Sequence, residues 1–315
     1  MINNDLAGIS ISRLHEMDDF LNKTYIESKK LAGLMTTVYR KGELVHYSPM
    51  GFKDRDHNTD LDKNTIFRIY SMTKPITSIA LMMLYERGLF QLDDPVYKYI
   101  PEFKSLEVYV SGKDPDFITK PVDRPMNIHD LLTHQSGFTY DFMQTTEIDF
   151  AYEKRKIMRN KNKSLEHFVK ELSDLPLQFS PGSRWNYSVS VDVCGYLIQV
   201  LSGYSLDDFF KKYIFDPLGM KDTDFYVPSE KIGRLASNYL YTGSDIPSLI
   251  TSKEEGDITQ KPKLLSGGGG LMSTTDDYLQ FCKMILNNGN FEGHQFVSRK
   301  TIGLMTSNHL AGGSD

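Results

Sequence analysis

The chain has 315 residues, 40% of them apolar and 24% charged, a balance that excludes intrinsic disorder and suits a folded globular protein. Its 36 basic and 41 acidic residues give a net charge of −5, which argues against a dedicated nucleic-acid partner. Its length allows one large domain or two medium ones, each with an ample core.

Residues 11–30 carry Leu14, Met17, Phe20, Leu21 and Tyr25 at helical spacing and predict an amphipathic helix. Leu34–Tyr39 and Leu44–Tyr47 read as strands of a hairpin turning at Lys41-Gly42-Glu43. The stripe Ile76, Ile79, Ala80, Met83 and Leu84 predicts a buried helix over about residues 72–87, closed by Gly88. Asn127 is placed to cap a short helix through Leu131 and Leu132 that ends near Gly137. Val191, Cys194, Leu197, Ile198 and Leu201 mark another helix, stopped by Gly203, and Ser205 starts a further one. Ser273 with Asp276 resembles a capping box for a helix ended by Gly289.

The order of helix, hairpin and long helical middle predicts an α+β fold with a helical subdomain inserted into a sheet domain. Residues 1–70 and 265–315 would form the sheet domain, and 71–264 the mostly helical one. Only two strands are clear, and an isolated hairpin is marginal in water. Strands are therefore expected to be missing from a chain that stops at Gly312-Gly313-Ser314-Asp315.

Met1-Ile2-Asn3-Asn4-Asp5 shows no basic region leading into an apolar one, and no stretch reaches the ~18 apolar residues of a membrane span. A cytoplasmic protein is expected, with a periplasmic or secreted mature form as the alternative. Cys194 and Cys282 lie in helical apolar patterns and read as buried thiols, not as a disulfide. The basic run Lys154-Arg155-Lys156 through Arg159, Lys161 and Lys163 lacks interleaved aromatics and reads as a solvated face, with attraction of anionic ligands as the lesser alternative.

The strongest chemical signal is Ser71-Met72-Thr73-Lys74, the one place where a serine is followed three positions later by a lysine. On a helix those positions share a face, so the amine can sit beside the hydroxyl and take its proton. Pro75 fits the first helical turn, where its missing N–H has no partner to lose. Ser71 would thus stand at a helix N-terminus, where developing negative charge is favoured. A solvated helix start is the plainer reading, and the buried flanks speak against it.

Tyr187 follows the turn Pro181-Gly182 just ahead of a helix, and a phenol beside an amine can trade protons with a serine. His134 in Leu131-Leu132-Thr133-His134-Gln135-Ser136-Gly137 reads as a structural histidine before a catalytic one. Gly267-Gly268-Gly269-Gly270 precedes a helix but lacks the lysine and strand of a phosphate loop, so close packing or a site wall is expected over anion binding. Cys-x-x-Cys, His-Glu-x-x-His, G-x-G-x-x-G and G-x-S-x-G are all absent.

Four stretches in order carry a resemblance: Phe67–Pro75, Leu131–Gly137, Phe179–Gly182 with Tyr187-Ser188, and Pro217-Leu218-Gly219-Met220. Together, from about residue 30 onward, they resemble the serine β-lactamase-like, penicillin-binding-protein-like superfamily. Within it they are most similar to the class C β-lactamase-related, family VIII carboxylesterases. The resemblance implies a β-lactamase-like fold, an antiparallel sheet domain with flanking helices and an inserted helical domain, with the site in the cleft between them. It implies Ser71 as acyl-accepting nucleophile, Lys74 as its proton partner and Tyr187 as second general base or acid. Tyr70, Val189, Gly268 and Gly269 would bind substrate.

Two departures qualify what is implied. Relatives usually place an asparagine two residues after the tyrosine to bond a substrate amide; Val189 stands there and cannot. Losing that bond penalises amides and β-lactams more than simple esters. The Lys/His-x-Gly or Trp-Gly-Gly stretch of a C-terminal strand, source of one oxyanion donor, also has no counterpart. Losing one such donor costs roughly 10²–10³ in turnover.

The expectation is a serine hydrolase that cleaves small-molecule carboxylic esters of small or medium acyl groups through an acyl-enzyme. It would need neither metal nor organic cofactor. The alternatives are a β-lactamase or D-amino-acid peptidase, and a non-catalytic binding protein on the same scaffold.

Overall fold

Lys41 and Gly42 take φ of 51° and 84°, the two-residue turn whose twist matches the strands it joins. It closes the predicted hairpin, Gly33–Arg40 paired with Glu43–Asp54 in antiparallel register from Gly33↔Gly51 to Arg40↔Glu43. The second strand runs well beyond Tyr47, and through Pro49. Thr59–Asp60 pairs with it only at Phe52 and Asp54, so Pro49 interrupts no ladder on that side.

The computed structural model describes residues 5–158, 162–241, 248–249 and 258–310. Arg159, Lys161 and Gly312–Asp315, which entered the sequence reading, lie outside the described residues. The chain forms two compact units. The first comprises Met1–Arg68, Tyr226–Gln260 and Met272–Leu279. In it the strand Ile66–Arg68 pairs antiparallel with Met272–Thr274, around a small core of Ile66, Val227 and Met272. The helix expected over 11–30 is α-helical only at Ile11–Leu21, then widens to π geometry at Asn22–Glu27. Each π turn takes more residues than an α turn, which rotates the apolar stripe out of phase. Leu14 is the one buried residue of the α-helical part, and Phe20 is exposed.

The second unit comprises Ile69–Phe225, Lys261–Leu271 and Gln280–Asp315. Its centre is a pair of packed helices, Thr73–Glu86 and Ser190–Ser202. Ile76, Ile79, Ala80, Leu81 and Leu84 on the first are buried, as are Val193, Cys194, Leu197 and Ile198 on the second. Burial of each such branched side chain contributes about 1.5–3 kcal/mol. Gly88 at φ 71° and Gly203 at φ 75° end the two helices in the left-handed conformation expected of them.

Shorter helices surround this pair: Ile128–Leu132, Glu147–Lys154, Leu165–Ser173, Leu206–Phe210 and Arg299–Met305. Asn127 caps the first as expected, and Asp130 completes a capping box with it; the helix stops at Leu132, short of Gly137. The unit also holds an antiparallel pair that the sequence did not announce, Glu107–Lys113 with Asp116–Pro121.

The capping pair expected at Ser273 and Asp276 falls one residue later. Ser273 is in a strand, the helix is Thr275–Leu286, and the Thr274 hydroxyl accepts from the Asp277 N–H at 3.1 Å. Both cysteines are free thiols. The described part of the basic run is largely ion-paired: Lys154 and Arg155 meet Asp114, and the buried Lys163 meets Glu171. Among the described residues no helix is long and apolar enough to cross a membrane.

Candidate active site

Ser71 lies in a 3-10 turn, Tyr70–Met72, that runs straight into the helix Thr73–Glu86. Tyr70 has φ 43°, a left-handed backbone that costs a non-glycine residue of order 1–3 kcal/mol and clusters at functional sites. The turn is tied down on its inner side. The Met72 N–H donates to Ile69 O at 2.9 Å, the Ile69 N–H to Leu271 O at 3.1 Å, and the Leu271 N–H to the Thr73 hydroxyl at 3.2 Å. Ser71 itself is exposed. The helix therefore begins with a hydroxyl presented outward from an over-determined backbone.

Lys74 Nζ donates to Ser71 Oγ at 3.1 Å and to the Gly268 carbonyl at 2.7 Å. On the other side of the serine, Tyr187 OH lies 2.5 Å from Ser71 Oγ. Lys74 Nζ also sits 4.5 Å from the centroid of the Tyr187 ring and 5.4 Å from that of Tyr140. One hydroxyl is thus within hydrogen-bond reach of both an amine and a phenol; the spacing of Ser71 and Lys74 led one to expect the first, and only the resemblance implied the second.

Tyr187 is held by rings and by His134. Its ring centroid is 4.9 Å from that of His134, 5.2 Å from Tyr140 and 6.4 Å from Trp185. The Ser188 N–H donates to His134 Nδ1 at 3.2 Å. That bond requires an unprotonated Nδ1, so the imidazole is neutral with its hydrogen on Nε2. Burial, and then the charge of Lys74, lower the His134 pKa to about 4, in keeping with a neutral ring. The histidine braces the loop that carries Tyr187.

Four residues were expected to bind substrate, and they are placed differently. Tyr70 is exposed beside Ser71, and Gly269 faces its backbone. Gly268 lends its carbonyl to Lys74. Val189 is fully buried at the start of the helix Ser190–Ser202, with its N–H bonded to Thr139 O at 3.2 Å. Its side chain is covered by protein and presents no surface beside Ser71.

The glycine run is a close-packing device. A Cβ on Gly267 would lie 2.9 Å from Val191 O, on Gly268 2.3 Å from Asp192 Oδ2, and on Gly270 2.9 Å from both Ser266 O and the Phe225 ring. It runs into the strand Met272–Thr274, not directly into a helix.

Sequence reading passed over Asp192 and Tyr140. The Asp192 carboxylate, wholly buried, accepts from the Ser266 hydroxyl at 2.5 Å, the Gly268 N–H at 3.0 Å and Tyr140 OH at 3.4 Å. Burial, and then the charge of Asp192, push the Tyr140 phenol well above its ordinary pKa, and its hydroxyl is turned to the carboxylate. The signal for Asp192 was present: an acid set inside the apolar run Val191-Asp192-Val193-Cys194 is costly unless it has partners.

An exposed serine hydroxyl bonded by an amine and a phenol, on a mixed helix and antiparallel-sheet fold, is the arrangement of a serine hydrolase. Residues 19–314 match the Beta-lactamase family, and the chain belongs to that family. It is 32% identical over 280 residues to the uncharacterized protein MT1414 of Mycobacterium tuberculosis (strain CDC 1551 / Oshkosh), covering 89% of this chain and 68% of that one. It is 28% identical over 283 residues to Esterase EstB of Burkholderia gladioli, covering 84% of this chain and 68% of that protein. In solved structures the same β-lactamase-like fold appears in EstCE1, a hydrolase with promiscuous acyltransferase activity. That match has a TM-score of 0.77 and 23% identity, and covers 93% of this chain and 76% of EstCE1.

Proposed function

We propose that this protein is a carboxylesterase that cleaves esters of small or medium acyl groups through an acyl-enzyme on Ser71. The observation that carries the reading is the reach of Ser71 Oγ to Lys74 Nζ at 3.1 Å and Tyr187 OH at 2.5 Å. Ser71 Oγ attacks the ester carbonyl carbon while its proton passes to the Lys74–Tyr187 pair. The oxygen charge that develops is met by the Ser71 backbone N–H at the head of the helix. The pair returns the proton to the departing alkoxide. Water, giving its proton to the same pair, then attacks the acyl carbon; the Ser71 Oγ–acyl bond breaks, the pair returns that proton to Ser71 Oγ, and the acid is released.

Support for an ester over an amide or β-lactam comes from Val189. The relatives' amide-binding side chain is replaced by a buried hydrocarbon, and the loss falls on substrates that needed that bond. Similarity to Esterase EstB points the same way.

Three measurements test the proposal. Turnover of p-nitrophenyl butyrate should exceed that of a chromogenic cephalosporin, and the reverse order would move the assignment to a β-lactamase. Ser71→Ala should abolish both turnover and labelling by a fluorophosphonate while the protein stays folded. Parent protein that neither turns over ester nor takes the label would make it a non-catalytic scaffold.

A further inference from the structure

Asp192 is the one acid of the helix Ser190–Ser202, and it is fully buried. A buried carboxylate is expensive unless hydrogen bonds and charge repay its lost hydration. Burial raises its pKa, against the pull of the Ser266 hydroxyl, the Gly268 N–H, the charge of Lys74 and Tyr140 OH. The carboxylate hydrogen-bonds to Ser266, Gly268 and Tyr140 and not to Ser71, Lys74 or Tyr187, so the proton transfers proposed above do not use it directly.

Its place in the bond chain is specific. Asp192 Oδ1 receives the Gly268 N–H at 3.0 Å, and the carbonyl of that same residue receives Lys74 Nζ at 2.7 Å. Lys74 Nζ in turn reaches Ser71 Oγ at 3.1 Å. The contact also explains Gly268, because any Cβ there would lie 2.3 Å from Asp192 Oδ2 and 3.0 Å from Tyr140 OH. The Ser266 hydroxyl, 2.5 Å from the same Oδ1, fixes which oxygen faces the turn.

We propose that Asp192 is a positioning residue of this site: its carboxylate anchors the Gly268 residue whose carbonyl holds the Lys74 amine against Ser71. The inference rests on the esterase reading above and concerns how that amine is kept in place. Asparagine is nearly isosteric and keeps an acceptor for both the Gly268 N–H and the Ser266 hydroxyl. Alanine keeps neither. Acylation should therefore respond to the acceptor, while recognition of the reagent should not.

The test is the rate of labelling by a fluorophosphonate, resolved into the maximal rate kinact and the half-saturation constant KI. In that step the Ser71 Oγ–P bond forms, the P–F bond breaks, fluoride leaves and the serine proton goes to the Lys74–Tyr187 pair. Asp192→Ala is expected to lower kinact about 10²-fold with KI within about twofold, the size of a lost active-site contact. Asp192→Asn should recover kinact to within about tenfold of the parent. An alanine variant with parental kinact overturns the proposal, as does one whose KI rises in step with the fall in kinact, or an asparagine variant no better than alanine. Should the alanine variant not fold, Asp192→Glu takes its place. Its extra methylene must displace Gly268, so kinact should again fall at constant KI, and a parental value overturns the proposal. Labelling that persists in Ser71→Ala would count against the esterase reading itself, and a parent that takes no label removes both.

Discussion

The hydroxyl oxygens of Ser71 and Tyr187 lie 2.5 Å apart, although 116 positions separate them in the chain. One of the two hydroxyls donates to the other, and Lys74 Nζ reaches the serine oxygen as well, at 3.1 Å. Tyr187→Phe removes only the phenolic oxygen and leaves the ring on Lys74, His134 and Trp185. The expected result is a fall of about 10²–10⁴-fold in kcat for p-nitrophenyl butyrate, the usual yield of one general acid–base group. Thermal unfolding should shift by no more than a few degrees. A phenylalanine variant within about threefold of the parent would remove Tyr187 from the chemistry.

Lys74 could serve as a base or merely as a fixed cation, and two substitutions separate these roles. Lys74→Ala removes both and should slow acylation by orders of magnitude. Lys74→Arg keeps the cation but cannot give up its proton at any working pH. If the amine carries protons, arginine will be about as slow as alanine in stopped-flow acylation. Recovery to within about tenfold of the parent would make Lys74 an electrostatic partner only.

Much of this site was legible in the sequence because its parts obey short-range rules. Ser71 and Lys74 are one helical turn apart, Pro75 and Gly88 bracket the helix, and Gly203 ends its neighbour. The short strand pair was not legible. In Glu107–Lys113 and Asp116–Pro121 most residues are exposed or half-buried, so no alternating apolar pattern marks them. The pairing of Ile66–Arg68 with Met272–Thr274 was hidden for another reason: strands so far apart in the chain leave no local trace of one another. Asp192 left a local trace, an acid inside an apolar run, but its partners Ser266 and Gly268 are brought to it only by the folded chain, and Tyr140 is marked only by its contact with Asp192.

The glycines of the 267–270 run should differ sharply in their tolerance of a methyl group. A Cβ on Gly267 would press on Val191 O at 2.9 Å and Thr77 Cγ2 at 3.1 Å, and the Thr77 hydroxyl also donates to the Gly267 carbonyl at 2.7 Å. Neither backbone nor β-branched side chain yields easily. Gly267→Ala should therefore destabilise by about 1–3 kcal/mol in urea unfolding. At Gly269 the nearest atom is Tyr70 C at 3.7 Å, an ordinary contact, and its φ is not in the left-handed range. Gly269→Ala should stay within about 0.5 kcal/mol of the parent. Equal losses at the two positions would refute the packing account of the run.

His134 supplies a pH dependence of stability whose sign is fixed by its environment. Burial first, and the charge of Lys74 second, depress its pKa from 6.5 to about 4 in the folded chain. Between those values the unfolded chain binds a proton that the folded chain refuses, so stability rises with pH across the window. The contribution is complete above the unfolded value and is lost as pH falls from 6.5 toward 4, by at most about 3 kcal/mol. Protonation of Nδ1 would also break the bond from the Ser188 N–H and free the loop that holds Tyr187. His134→Asn offers an amide oxygen to the same N–H and cannot titrate. Measured by urea unfolding at pH 7 and pH 5, the parent should lose more stability than the asparagine variant on going to pH 5. Identical losses would show that His134 is not the titrating group.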